Sequence, residues 1–222
     1  MKHIKAIWLA IVAGLILTMT ACGPSKAELE EKKTQEAFDT AAIAYSALCE
    51  AGDMTVGVMK SVYGAWYFGI YKAKDSLSVN VVANLANEVV LTKSELEAGV
   101  KSLTSKLSTD ETTVKHAMCD GLGNITAWEF SLQVIYESYE ANGSYDDIQS
   151  KIDAANAALK TMTNEFDGYK HYPTLKELYA KVSAYYEFTK NPTGSFQQLK
   201  DTMSSYENDI RTLKSDLSFV FD

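Results

Sequence analysis

The chain has 222 residues and a formal charge of −8, with 29 acidic against 21 basic side chains. Such a balance supplies no basic stripe for phosphates and excludes nucleic acid as a natural partner. Three prolines, no glycine–serine run, and 13 tyrosines with eight phenylalanines argue for a folded body with ample core material.

The first 22 residues, MKHIKAIWLAIVAGLILTMTAC, have their own logic. Lys2 and Lys5 form a positive head, Ile7 to Leu17 run apolar, and small residues precede Cys22. That is the order of an export signal, and the apolar run is short for a transmembrane helix. The stretch resembles the signal peptides of bacterial lipoproteins, whose lipobox is matched here by Met19, Thr20, Ala21 and Cys22, with Met19 standing where leucine is usual. The resemblance implies cleavage before Cys22, diacylglyceryl transfer to its thiol, and acylation (palmitate or a similar chain) at the new amino terminus. Two or three acyl chains give stable anchoring, at ~0.8 kcal/mol per buried methylene. Gly23 follows, where the inner-membrane retention signal has aspartate. The implied location is therefore the extracytoplasmic face of a bacterial cell membrane or an outer membrane, in the cell envelope, with membrane contact through the lipid on Cys22.

Residues 1–21 hold two lysines and no acid, so the 201 residues from Cys22 onward carry a formal charge of −10. The expected organisation is a cleaved signal peptide over 1–21, a lipid-anchored tether over 22–33, and a helical bundle domain over 34–222. Within the tether, Ser25 and Glu28 are spaced as a capping box. Phe38, Ala41, Tyr45 and Leu48 then form a helical stripe that is expected to end at Gly52-Asp53. Met54–Tyr71 is the most apolar stretch, polar only at Thr55, Lys60 and Ser61. It reads as a helix surrounded by other helices, with a membrane-dipping segment as the alternative. Its Gly57, Gly64 and Gly69 are expected to permit close approach of neighbouring helices.

Leu77–Leu107 reads as one long helix or two in series, with Thr92 and Glu95 as a second capping box. Asp110–Ala141 continues the stripe, with a kink expected near Gly121 and Gly123 and a stop at Asn142-Gly143. Three further stripes follow, opened by Ser144/Asp147, Thr174/Glu177 and Ser195/Gln198 as capping boxes. The last two, Leu175–Tyr185 and Phe196–Leu217, are joined through Asn191–Ser195 closely enough to force an antiparallel return. No strand alternation of useful length appears. The fold class expected is all-α, a mostly antiparallel bundle of five to seven helices.

Few residues suggest chemistry. His116, Cys119 and Asp120 share one helix face, but without a second ligand pair they read as packing and surface residues, so no metal or other cofactor is implied. His171 falls in the Gly168–Pro173 break. Cys49 and Cys119 are the two cysteines left beside Cys22, and in an exported protein an even remainder fits a disulfide. Two buried thiols are the alternative. The tyrosines Tyr169, Tyr172, Tyr179, Tyr185 and Tyr186, with Phe188 and Tyr206, read as a core seam, with a stacking surface for glycan or peptide as the second reading. No catalytic motif appears. The function expected is that of a non-enzymatic surface lipoprotein acting by protein–protein contact, as a structural envelope component or a binding or exclusion factor. The alternative is a solute- or glycan-binding lipoprotein, which a pocket between helices would favour. An enzyme such as a wall hydrolase ranks third, since it would need paired carboxylates in a cleft.

Overall fold

The computed structural model describes residues 25–166 and 168–221. The signal run and Cys22 lie outside the described residues. The chain divides into two compact units, residues 1–36 and 37–222. Among the described residues the fold is all-α: α1 (Lys26–Tyr71), α2 (Val81–Ala86), α3 (Lys93–Leu107), α4 (Glu111–Asp120), α5 (Ala127–Ala141), α6 (Ser144–Glu165), α7 (Tyr172–Lys190) and α8 (Phe196–Phe221). A 3₁₀ turn at Ala73–Asp75 joins α1 to α2, and Leu122 and Ile125 form a single isolated bridge.

In the first unit, the described residues are the start of α1. Ser25 opens it as a capping box: its amide donates to Glu28 at 2.6 Å, and Glu28 N–H donates back to the Ser25 hydroxyl at 3.3 Å. Every residue from Ser25 to Glu36 is exposed.

In the second unit, α1 from Ala37 onward is the strut along which other helices lie. These 35 residues rise roughly 50 Å at 1.5 Å each. The helix runs straight through Gly52, where a stop was expected. Gly52 is buried, and a Cβ there would sit 3.5 Å from Ile210 and Val182, so α7 and α8 cover the position. Packing on both sides outweighs a helix cost of about 1 kcal/mol relative to alanine. The Met54–Tyr71 stretch is core, not a membrane segment. Trp66 is 6 % exposed and stacks on Trp128 at 4.8 Å between centroids. No helix among the described residues is long and apolar enough to cross a membrane.

The pairings are antiparallel, and residue contacts give their register. α8 returns along α1: Tyr63 stacks on Phe196, Tyr45 reaches the Lys214 carbonyl, and Phe38 meets Phe221. α5 and α6 run back along α1 in series, the first through Ser61–Tyr139 and Trp66–Trp128, the second through the Glu50–Lys151 ion pair. α3 lies antiparallel on α5, fixed by Ser102–Glu137 at 2.6 Å and Lys106–Glu137 at 2.7 Å. The α7–α8 hairpin has the expected sense, with Tyr185 stacked on Tyr206 at 5.0 Å and Lys181 paired to Asp209 at 2.7 Å.

The eight helices among the described residues exceed the expected range because two stretches break completely. Leu77–Leu107 divides at the Thr92 capping box, where Glu95 and Thr92 satisfy each other's backbone amides. Asp110–Ala141 divides at Gly121, whose φ of +78° ends α4, and restarts on a Thr126–Glu129 box. Ser195 and Gln198 also cap each other as expected. The other two proposed boxes are not used. α7 begins at Tyr172, ahead of Thr174, because Pro173 suits the first turn, where its missing N–H leaves nothing unsatisfied. α6 begins on Gly143 in the left-handed region, leaving Ser144 inside the helix.

Several buried hydroxyls are satisfied locally, while those of Tyr145 and Ser183 have no partner in the protein. Thr55 donates to Ala51, Ser131 to Ala127 and Ser138 to Val134, each one helical turn back. Ser61 is different. Its oxygen accepts from Val90 N–H at 3.1 Å and meets the Tyr139 hydroxyl at 2.8 Å, while Tyr139 donates to the Gly57 carbonyl at 3.3 Å. Tyr139 has one proton, so Ser61 must be the donor between them. One serine thus joins α1, α5 and the segment before α3.

The glycines of α1 make a graded test. A Cβ on Gly69 would lie 2.2 Å from the Trp128 Cα, a backbone atom that cannot yield, whereas one on Gly57 meets nothing within 4 Å. Gly69→Ala is expected to lower the unfolding free energy by at least ~1–3 kcal/mol. Gly57→Ala is expected to raise it by ~0.5–1 kcal/mol through helix propensity. Equal effects in chemical denaturation would mean that α5 does not close on α1 as described.

The C-terminal hairpin gives a second contrast. Ile210 is buried, and Ile210→Asp would place an unpaired charge in the core and should leave the protein unfolded or barely folded. Asp209→Ala next door removes a half-exposed partner of Lys181 and should cost under ~1 kcal/mol. Circular dichroism melts that showed both variants equally stable would rule out this stripe as core.

Candidate functional site

The most distinctive constellation is built from tyrosines where α5, α6 and α7 meet. α5 supplies Tyr136, Tyr139 and Glu140; the first turns of α6 supply Tyr145, Asp146 and Gln149; the end of α7 supplies Tyr186 and Lys190. The turn at Asn142-Gly143 makes the meeting possible. Gly143, at φ +77°, carries the chain from α5 into α6 within two residues, which sets the Tyr139 and Tyr145 rings 5.9 Å apart. Tyr186 follows at 6.2 Å from Tyr145, and its hydroxyl donates to the Tyr145 carbonyl at 2.9 Å. Side chains from all three helices border an open groove of about 510 Å³.

Each ring is held differently. Tyr139 is tied to Ser61 and Gly57 of α1. Tyr145 is 7 % exposed, and its buried hydroxyl has no hydrogen-bond partner in the protein. An orphaned buried hydroxyl costs about 1–3 kcal/mol. The Lys190 ammonium lies 3.9 Å over the Tyr186 ring and donates to Glu187 at 2.9 Å. Burial opposes its charge, but Glu187 and the Tyr186 hydroxyl outweigh that and hold its pKa above the ordinary lysine value. Burial pushes Tyr136 up to about 12 and pushes Tyr145 and Tyr186 up as well. At neutral pH these phenols are therefore neutral groups that donate and accept hydrogen bonds.

The residues singled out in sequence are scattered. No bridge joins Cys49 and Cys119. Cys49 is half-buried in α1, while Cys119 is buried at the end of α4 with its thiol donating to the Ser76 carbonyl at 3.2 Å. Burial raises the Cys119 pKa, which keeps the thiol protonated. His116 and Asp120 approach to 3.3 Å on an exposed face, and no cluster of three or more ligand-type side chains suited to a metal occurs among the described residues. His171 precedes α7, edge-on to Tyr169 and Phe221. Of the tyrosine series, Tyr185 and Tyr186 are buried, as a core seam requires; only Tyr186 belongs to the groove. Tyr136 and Tyr145 were not anticipated. The signal that could have marked them is the run of tyrosines at 136, 139 and 145 bracketing an Asn-Gly turn.

No protein-family model matches the chain, and comparison with curated proteins and with solved structures found no significant match.

The raised tyrosine pKa values carry a pH signature. A group whose folded pKa exceeds its unfolded value adds stability that is complete below the unfolded pKa and disappears as pH rises through the folded one. For Tyr136 that window runs from about 10 to about 12. Stability should therefore fall above pH ~10, with Tyr136 accounting for on the order of 2 kcal/mol, and Tyr136→Phe should flatten the decline. Tyrosinate absorbance is the readout. If all 13 tyrosines titrated near pH 10 in the folded protein, the burial of this cluster would be refuted.

Proposed function

We propose that the protein is a membrane-anchored bacterial surface lipoprotein, held through lipid on Cys22, whose helical ectodomain acts non-enzymatically by contact with another envelope protein. The observation that carries the reading is the run ending in Met19-Thr20-Ala21-Cys22, in which charge, apolar length, small residues and cysteine fall in the order that lipidation requires.

The body adds support for the contact role. Exposed large apolar side chains gather at the end of the bundle where α1 stops: Tyr71, Leu77 at 71 % and Val79 at 82 % exposure. Leu122 and Ile125 sit on the turn between α4 and α5, brought to the same end by the Cys119–Ser76 hydrogen bond and the approach of Trp128 to Gly69. Clustered exposed apolar groups of this kind mark contact surfaces. The partner that fits is a protein presenting an apolar patch, since the chain's net negative charge disfavours anionic lipid.

Two experiments test the two halves. Cys22→Ser is expected to lose radiolabelled palmitate and to leave the membrane fraction; equal labelling of the variant would refute the anchor. Leu77→Asp with Val79→Asp should keep palmitate and thermal stability while losing cross-links formed in intact membranes from a photoreactive residue at position 78. Unchanged cross-links would reject this end as the contact surface.

A further inference from the structure

The second unit begins at Ala37, where the tether enters it, and the next residue, Phe38, lies 5.5 Å from Phe221 between ring centroids. From there α1 rises roughly 50 Å to Tyr71, so the apolar end at Leu77 and Val79 is remote from the point of entry. Phe38 follows Cys22 by 16 residues, a reach of at most ~60 Å even if fully extended. Aromatic side chains gather at this entry end. Phe221 stacks on Tyr45 at 5.1 Å and meets His171 at 6.4 Å, and His171 lies 5.8 Å from Tyr169. Phe38, Tyr169, His171 and Phe221 are half-buried, whereas Phe219 is 91 % exposed, the highest value for a large apolar side chain among the described residues. It follows the buried Leu217 by two residues and so faces the opposite side of α8, away from the core. Lys170, between Tyr169 and His171, is exposed and pairs with no carboxylate among the described residues. Residues 168–176 hold a second lysine, Lys176, and no acid.

We propose that this end of the bundle rests on the lipid surface that holds the anchor, with the Phe219 ring in the boundary between headgroups and acyl chains and the Lys170 ammonium at a lipid phosphate. The inference rests on lipid attachment at Cys22. An exposed ring beside a lysine suits that boundary, where apolar groups enter the acyl region and ammonium groups stay at the headgroups. The half-buried tyrosine and histidine beside them are amphipathic in the same sense. One ring and one lysine are too weak a signal to recruit a protein to a membrane. A body already held there by acyl chains needs only to be oriented, and the tether keeps the local lipid concentration high. A single fully exposed ring also offers far too little apolar surface for a protein interface, which buries ~800 Å² on each partner. The net negative charge of the chain favours a zwitterionic headgroup, which presents a phosphate without a net charge.

The test places the full lipidated chain in phosphatidylcholine vesicles whose acyl chains carry bromine, which quenches tryptophan on contact. Trp66 and Trp128, stacked on each other, supply a background that the parent chain measures. Phe219→Trp is expected to lose most of its added emission to the bromine, and Leu77→Trp at the far end to lose none. Both positions are exposed, so both variants should fold as the parent does. Lys170→Glu combined with Phe219→Trp should restore part of the lost emission. With palmitate incorporated and the protein floating with the vesicles, the inference is overturned if the tryptophan at position 219 is unquenched, if the one at position 77 is quenched equally, or if Lys170→Glu changes nothing. Emission from position 219 that shifts to the blue as protein per vesicle rises, yet ignores the bromine, would assign this end to a second copy of the chain and overturn it as well. A chain that takes up no palmitate and does not float removes the anchor, and this inference with it.

Discussion

From Ala37 to Tyr71, α1 carries apolar side chains around most of its circumference, and a helix of that kind is stable only where other elements cover it. Hydrogen bonds within the helix do nothing to shield those side chains, and exposing each would forfeit about 1.5–3 kcal/mol. Cover must therefore be long. α8, with 26 residues, runs the distance as one helix, whereas α5 and α6 together form a second line broken only at Asn142-Gly143. The α6–α7 and α7–α8 connections then follow from the need to bring the chain back. The remaining helices, α2 to α4, close over the end where Val81, Leu85, Leu96 and Met118 are fully buried.

Close approach is limited by backbone as much as by side chains. Among the described residues, three positions inside helices lack a Cβ where one would strike another element: Gly64 against the Glu88 carbonyl, Gly69 against Trp128, and Gly99 against Ser138. Each lies between elements that also share a polar or aromatic contact, namely Ser61 with Val90, Trp66 with Trp128, and Ser102 with Glu137. The glycine sets the distance and the neighbouring contact fixes the register. A hydrophobic stripe alone would do neither, since it allows rotation and sliding at little cost.

These two constraints explain what could be read from the sequence. The helical class, the antiparallel α7–α8 return, the buried Met54–Tyr71 stretch and the packing role of Gly64 and Gly69 all rest on local spacing, which a single chain displays. What failed needed knowledge of neighbours. Gly52-Asp53 looks like a stop, yet α7 and α8 press on Gly52 and the helix continues. Gly121 was expected to kink a helix and ends one, because its φ of +78° leads into the Leu122–Ile125 bridge, which a continuous helix could not form. The candidate site was the least legible part. Tyr136, Tyr145 and Tyr186 each look like ordinary stripe residues, and only the folding of three helices against one another brings them to the border of one groove.

The rings beside the groove are held both by α1 and by one another. Tyr139 stands behind the groove with its hydroxyl committed to Ser61 and Gly57 of α1, and its ring supports Tyr145. Tyr186 is fixed from the other side through the Tyr145 carbonyl, beneath the Lys190 ammonium. Rings pinned in this way have given up their rotamer freedom to the fold, a cost that their burial must offset. The Tyr145 hydroxyl is left buried without a protein partner, a cost of about 1–3 kcal/mol that the surrounding aromatic packing must offset.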